Sequence, residues 1–160
     1  MIREVKREDL AACAALIRKS FRTVADEFGI TAENAPRFTA FAVTEEGLAA
    51  QMDAGHRLMF LDEEDGGICG YCSLKFRDQG ACELINLCVL PACRHRGIGS
   101  RLLRYAAGIA GKQGCTVMEL SIVEENSVLR KWYERNGAFH TGTEKLDFFP
   151  FTCGHMKIFL

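Results

Sequence analysis

The stretch from Val89 to Leu103, "VLPACRHRGIGSRLL", constrains the fold more than any other part of the chain. It leaves an apolar run, "CELINLCVL", turns at Pro91, passes two glycines set among three arginines, and enters the amphipathic stretch "GIGSRLLRYAAGIAGKQG", which Gly114 closes as a helix. The strand-like "CTVMELSI" follows at once. Strand, helix and strand in that order require a parallel pair joined by a crossover, right-handed by default. Three strand-like runs lie upstream, "RLMFLDE", "ICGYCSLKF" and "CELINLCVL", joined by Asp65-Gly66 and Asp78-Gln79-Gly80, and these predict an antiparallel meander. One sheet must therefore hold both pairings.

The remaining segments fit around that sheet. Met1 to Val5 is expected to be a short strand, and Leu10, Cys13, Leu16, Ile17 and Phe21 follow helical spacing after an N-cap at Asp9. Residues 22–43 are expected to be irregular or only briefly helical. Thr44 caps a second helix ending near Gly55, and Asn126 caps a third, "SVLRKWYERN", closed by Gly137. The strand-like "FHTGTEKLDF" and "TCGHMKIFL" finish the chain. With no repeat or linker in 160 residues, the expectation is a single α+β domain over 1–160, a mixed and mostly antiparallel sheet with helices on both faces.

Net charge is −1, which gives no global reason to expect nucleic acid or an anionic membrane as partner. Between Pro91 and Gly111, however, stand Arg94, Arg96, Arg101 and Arg104 with no acid, leaving −5 on the rest of the chain. The first ten residues carry six charges, unlike the apolar core of a signal peptide, and no apolar run reaches membrane-spanning length, so a cytoplasmic location is expected. The eight cysteines are scattered through core-like positions and are read as reduced, buried small hydrophobes. Cys69 and Cys72 in "CGYC" fall three apart in a strand, which places their sulfurs on opposite faces and argues against a metal or dithiol pair.

A helix starting near Gly97 leaves its first amides without intrahelical partners, at the positive end of the helix dipole. Glycines allow a sharp turn and close approach of a ligand, so this terminus is suited to a phosphate group. Of the common phosphate readers, the P-loop is absent because no Gly-Lys-Ser/Thr occurs. The dinucleotide fingerprint begins with Gly97 and Gly99 but meets Leu102 where its third glycine belongs, although Glu119 lies near the spacing of a ribose acid.

The third pattern is Gln/Arg-x-x-Gly-x-Gly/Ala, matched in full by Arg94-His95-Arg96-Gly97-Ile98-Gly99. Here the chain resembles the GNAT superfamily of N-acetyltransferases. The surrounding "CELINLCVLPACRHRGIGSRLL" resembles the family's strand, loop and helix, and "ENSVLRKWYERNGAF" its asparagine-bearing cofactor helix. The likeness covers residues 68–140 well, and the order β-α-α-β-β-β-α-β-α-β-β extends it to both ends. It implies acetyl-CoA as cofactor. It also implies pyrophosphate contacts from the amides of Arg96, Gly97, Ile98, Gly99 and Ser100, within a cofactor-binding set of Leu87, Cys88, Val89, Arg94, His95, Asn126 and Tyr133. Flanking arginines can add bidentate contacts to phosphate oxygens. Two departures stand out: Leu129, where the family has a small residue near its asparagine, and Ala138, where an aromatic is common.

The implied reaction moves an acetyl group to a primary amine by direct attack through a tetrahedral intermediate. It needs a base for the amine, a donor for the oxyanion and an acid for the leaving thiolate. Glu83, in an otherwise apolar strand, is the candidate base, with a pKa expected to rise by desolvation; an acid at a solvated strand end is the alternative. Asn86 is the strand's other polar interruption. The resemblance gives the oxyanion contact to the Val89 amide and the acid to Tyr133, although Val128, Leu129, Trp132 and Tyr133 also form an apolar stripe. Asn126 either caps its helix or holds the cofactor arm. Glu45, Glu46 and the acidic "DEED" at 62–65 are candidates to attract a cationic amine, and His155 is a secondary acid or base. The acceptor is expected to be a small-molecule or peptide amine, with a homodimer left open. A catalytically silent acyl-CoA-binding module and a nicotinamide-dependent oxidoreductase are the alternatives.

Overall fold

The computed structural model describes all 160 residues. Seven strands form one sheet in the order β1-β2-β3-β4-β5-β7-β6. They are β1 (Ile2–Glu4), β2 (Arg57–Glu64), β3 (Gly67–Phe76), β4 (Ala81–Val89), β5 (Val117–Val123), β6 (Phe139–Lys145) and β7 (Thr152–Phe159). Only β4 and β5 pair in parallel, and α4 (Ile98–Lys112) makes the crossover between them. The remaining helices are α1 (Leu10–Phe28), α2 (Thr39–Ala42), α3 (Glu45–Ala54) and α5 (Ser127–Arg135).

Strand alternation sorts the core into two layers. Phe60, Cys72, Leu74 and Met118 point toward Leu102 and Ala106 of α4, while Leu61 and Tyr71 point toward Leu10 and Ile17 of α1 and Leu48 of α3. Helices therefore cover both faces, as the sequence predicts. A third cluster, built on Phe38 and Phe151 with Ala25 and Val123, closes one end of the sheet.

Two expectations are corrected. Residues 22–28 are not irregular: α1 continues through Phe28 and stops at Gly29 in left-handed conformation. Phe21, Val24, Ala25 and Phe28 all join the third cluster, and their spacing of three, four and seven extends the helical stripe beyond Phe21. Cys69 and Cys72 do not take opposite faces. Gly70 pairs with Asp62 but Ile68 with Glu63, so Cys69 is the extra residue of a β-bulge, and both cysteines reach the same core layer. The Cys69 sulfur lies 3.1 Å from that of Cys93 rather than beside Cys72.

A second bulge sets up the functional region. Tyr71 pairs with Cys88 and Ser73 with Ile85, so β4 carries one residue too many, and Asn86 takes a φ of 55° to absorb it. On the other edge of β4, pairing with β5 runs only from Ala81↔Val117 to Glu83↔Glu119 and then ends. The two parallel strands separate beyond that point.

Candidate active site

Two cavities meet where β4 and β5 part. The larger, about 560 Å³, is bordered by Val89, by His95, Gly97, Ile98, Gly99 and Ser100 of the loop, and by Trp132. The smaller, about 200 Å³, lies between the strands and α1 and α2, with Phe21, Phe38, Phe149 and Phe151 on its walls. Leu87, Asn126, Leu129 and Tyr133 line both.

The loop is shaped by two left-handed residues, His95 (φ 62°) and Gly97 (φ 78°), the latter directly preceding α4. The first bond of the helix runs from the Arg101 amide to the Gly97 carbonyl at 3.0 Å. The six amides from His95 to Ser100 make no hydrogen bond within the chain. Such a run of outward N–H groups at a helix N-terminus is an anion-binding nest. At Gly99 a Cβ would stand 3.2 Å from the Trp132 ring, so glycine is what lets α4 begin this close to α5.

The arginines act differently from expectation. Arg94 donates to the carbonyls of Val89 (3.1 Å) and Ser20 (3.1 Å) and to Thr23 Oγ1 (3.0 Å), bracketing the loop to β4 and α1. Arg96 pairs with Glu64 at 2.7 Å, and Arg101 with buried Asp62 and with Glu64, both at 2.6 Å. Glu64 and then Asp62 hold the Arg101 guanidinium above its already high pKa. The acidic "DEED" segment thus moors the loop from the back, with Asp62 also paired to the N-terminal amine and Glu63 to Arg3. It borders neither cavity, and neither do Glu45 and Glu46.

Glu83 sits at the closed end of the β4–β5 pair and lines neither cavity. Its side chain is 27% exposed and pairs with Arg77, which also holds Glu119. The desolvated carboxylate expected from its apolar neighbours is absent, because Glu83 projects on the opposite side of the strand from buried Cys82 and Leu84. Asn86, at the bulge, does border the smaller cavity.

Tyr133 is buried at the meeting point, and desolvation keeps its phenol above the usual tyrosine value, hence protonated through the neutral range. Its hydroxyl has no partner within the chain and, unlike that of Tyr71, is not sealed off. Asn126 Oδ1 accepts from the Leu129 amide at 3.1 Å, so the side chain caps α5 while its amide nitrogen remains free to donate. Leu129 forms part of the wall shared by both cavities, and Ala138 is buried in the core.

Ser121 stands in no motif that sequence reading singles out. It lines the smaller cavity and shares a hydrogen bond of 3.0 Å with His155 Nδ1; His155 Nε2 in turn lies 3.1 Å from Glu144. The three side chains form a row across β5, β7 and β6, brought together by the cross-strand pairing of Ser121 with His155. No spacing within the sequence announces such a row.

Both the sequence and the fold are matched by known proteins. Residues 20–138 match the model of the acetyltransferase (GNAT) family. The chain belongs to that family. It is therefore an acyltransferase by family. It is 28% identical over 144 residues to the uncharacterized N-acetyltransferase YhfO of Bacillus subtilis (strain 168), covering 85% of this chain and 87% of the relative. Its fold is that of PaiA N-acetyltransferase from Thermoplasma acidophilum in complex with coenzyme A, with a TM-score of 0.85, 22% identity, and coverage of 100% of this chain and 98% of that one. It is also that of YncA from Salmonella typhimurium with acetyl-CoA, at a TM-score of 0.78, 22% identity, and coverage of 100% and 93%.

Proposed function

We propose that residues 1–160 form one catalytic domain that transfers the acetyl group of acetyl-CoA to a primary amine by direct attack. The observation that carries this reading is the run of six unpaired amides opening onto a cavity that continues into the β4–β5 gap. Acetyl-CoA suits this surface and supplies the activated acyl group as a thioester. In this reading the amides of Arg96 to Ser100 bind its pyrophosphate, each such bond contributing roughly 1.5–3 kcal/mol. The free Nδ2 of Asn126 and the walls formed by Leu87, Cys88, Val89 and Leu129 hold its arm.

Tyr133 Oη is the acid that protonates the departing sulfur. A high phenol pKa opposes that step in water, but the burial that raises it also raises the pKa of a thiol in the same place, so the mismatch does not widen. Burial likewise raises Cys88 and Cys153 on the cavity walls, which disfavours an acyl-cysteine route. For the amine proton, the row beginning at Ser121 replaces Glu83. With Nε2–H donating to Glu144, His155 Nδ1 accepts the Ser121 hydroxyl proton while Ser121 Oγ takes one from the amine. His155 is half-exposed and returns that proton to water.

Thermal shift with acetyl-CoA, dephospho-CoA and NAD tests the binding half of this reading: acetyl-CoA is expected to stabilise most, and stabilisation by NAD alone overturns it. Mass spectrometry of amines incubated with acetyl-CoA tests the transfer itself, and separates an enzyme from a silent binding module.

A further inference from the structure

We infer that the acceptor is a small primary amine carried on an apolar, preferably aromatic, body with no second charge; this rests on the acetyltransferase reading above. The smaller cavity is divided by polarity. Its polar side chains, Asn86, Ser121 and Asn126 among them, sit at the strand opening beside Tyr133, whereas the phenylalanines stand on the side of α1, α2 and the β6–β7 connection.

The aromatic wall is more than core. Phe38 and Phe151 are buried against each other, with ring centroids 5.6 Å apart at 75°. Phe21 and Phe149 are only partly buried, packed edge-on to Phe38 at 6.1 and 6.5 Å, and both line the cavity. Apolar ring surface left open inside a cavity favours a ligand that covers it.

Charge restricts the acceptor further. No carboxylate, lysine or arginine lines this cavity. A polyamine would bring a second ammonium with no carboxylate to receive it, and an amino acid would bring a carboxylate with no cation; burying either unpaired charge is costly. Glu27, Arg94 and Arg135 border the neighbouring cavity and not this one, and Arg94 already serves Val89, Ser20 and Thr23. The volume of about 200 Å³ falls below the roughly 300–1,000 Å³ typical of drug-sized ligands, which favours a compact amine over a folded protein's lysine or a chain terminus. A phenylethylamine-like molecule meets these requirements, its ring on the phenylalanines and its nitrogen beside Ser121.

The test compares kcat/KM for 2-phenylethylamine, n-butylamine, spermidine, glutamate and an alanyl tripeptide with acetyl-CoA, alongside thermal shift with acetyl-CoA alone. The expected order places 2-phenylethylamine first, about a hundredfold or more above spermidine and glutamate, with n-butylamine between. Phe149→Leu, which keeps apolar bulk against Phe38 and Phe151, is expected to raise KM for 2-phenylethylamine several-fold while leaving the acetyl-CoA shift near that of the parent. Preference for spermidine, glutamate or the tripeptide overturns the inference and leaves the acetyltransferase reading in place. A complete lack of acetylation while acetyl-CoA still stabilises the protein also overturns the inference, and points to a silent binding module. Lack of both turnover and stabilisation removes the acetyltransferase reading and this inference with it.

Discussion

The larger cavity is edged by main chain, with six consecutive unpaired amides whose neighbouring arginines are engaged by Glu64, Asp62 and backbone carbonyls. The smaller is walled by side chains drawn from α1, α2, β4, β5 and the β6–β7 connection. The first needs only a short run of residues able to adopt the right φ and ψ. The second needs distant segments to converge. A locally built surface thus adjoins one assembled over long range, and the two meet at Tyr133.

The sharpest way to break that contrast is at the loop. Gly97→Val forces a β-branched residue into left-handed conformation, with strain of about 1–2 kcal/mol, and turns aside amides worth roughly 1.5–3 kcal/mol each. Calorimetry is expected to show acetyl-CoA affinity falling about a hundredfold or more, at about 1.4 kcal/mol per tenfold. Unchanged affinity would mean that main chain is not the reader. At the meeting point, Tyr133→Phe is expected to lower kcat by about tenfold or more with acetyl-CoA affinity within a few-fold; an equal rate in the variant removes the acid role.

On the acceptor side the expected effects are smaller. His155→Gln should reduce kcat by several-fold while leaving KM for the amine and acetyl-CoA affinity near those of the parent, because the Ser121 hydroxyl loses its proton acceptor. An unchanged kcat would make the row structural. Smallest of all is Glu83→Gln. An exposed ion pair with Arg77 contributes at most about 1 kcal/mol, so the melting curve shifts slightly and kcat/KM stays within about twofold. A hundredfold loss there would restore Glu83 as the base.

The same contrast explains what was readable beforehand. Strand, loop and α4 are local, and their turn residues, capping signals and apolar periods lie within some thirty residues of chain, so both the nest and the parallel crossover followed from sequence. The places of Asn126 and Tyr133 at the cap and on the buried face of α5 were legible because that helix has its own cap and stripe. The role of the arginines was misjudged because the acids that engage them lie some thirty residues upstream and only the sheet brings the two together. The position of Glu83 relative to the strand opening was not legible, because an apolar strand does not reveal where pairing with its neighbour stops. Ser121, His155 and Glu144 come from three strands whose adjacency depends on an order, β5-β7-β6, that sequence distance conceals.

The parting of the two strands has a close neighbour in the chain. Asn86 is the surplus position that puts β4 out of step with β3, and it lies just past Glu83, where pairing with β5 ends. The extra residue and the open edge thus fall on one short stretch of β4, and asparagine there tolerates the left-handed backbone that the extra residue imposes.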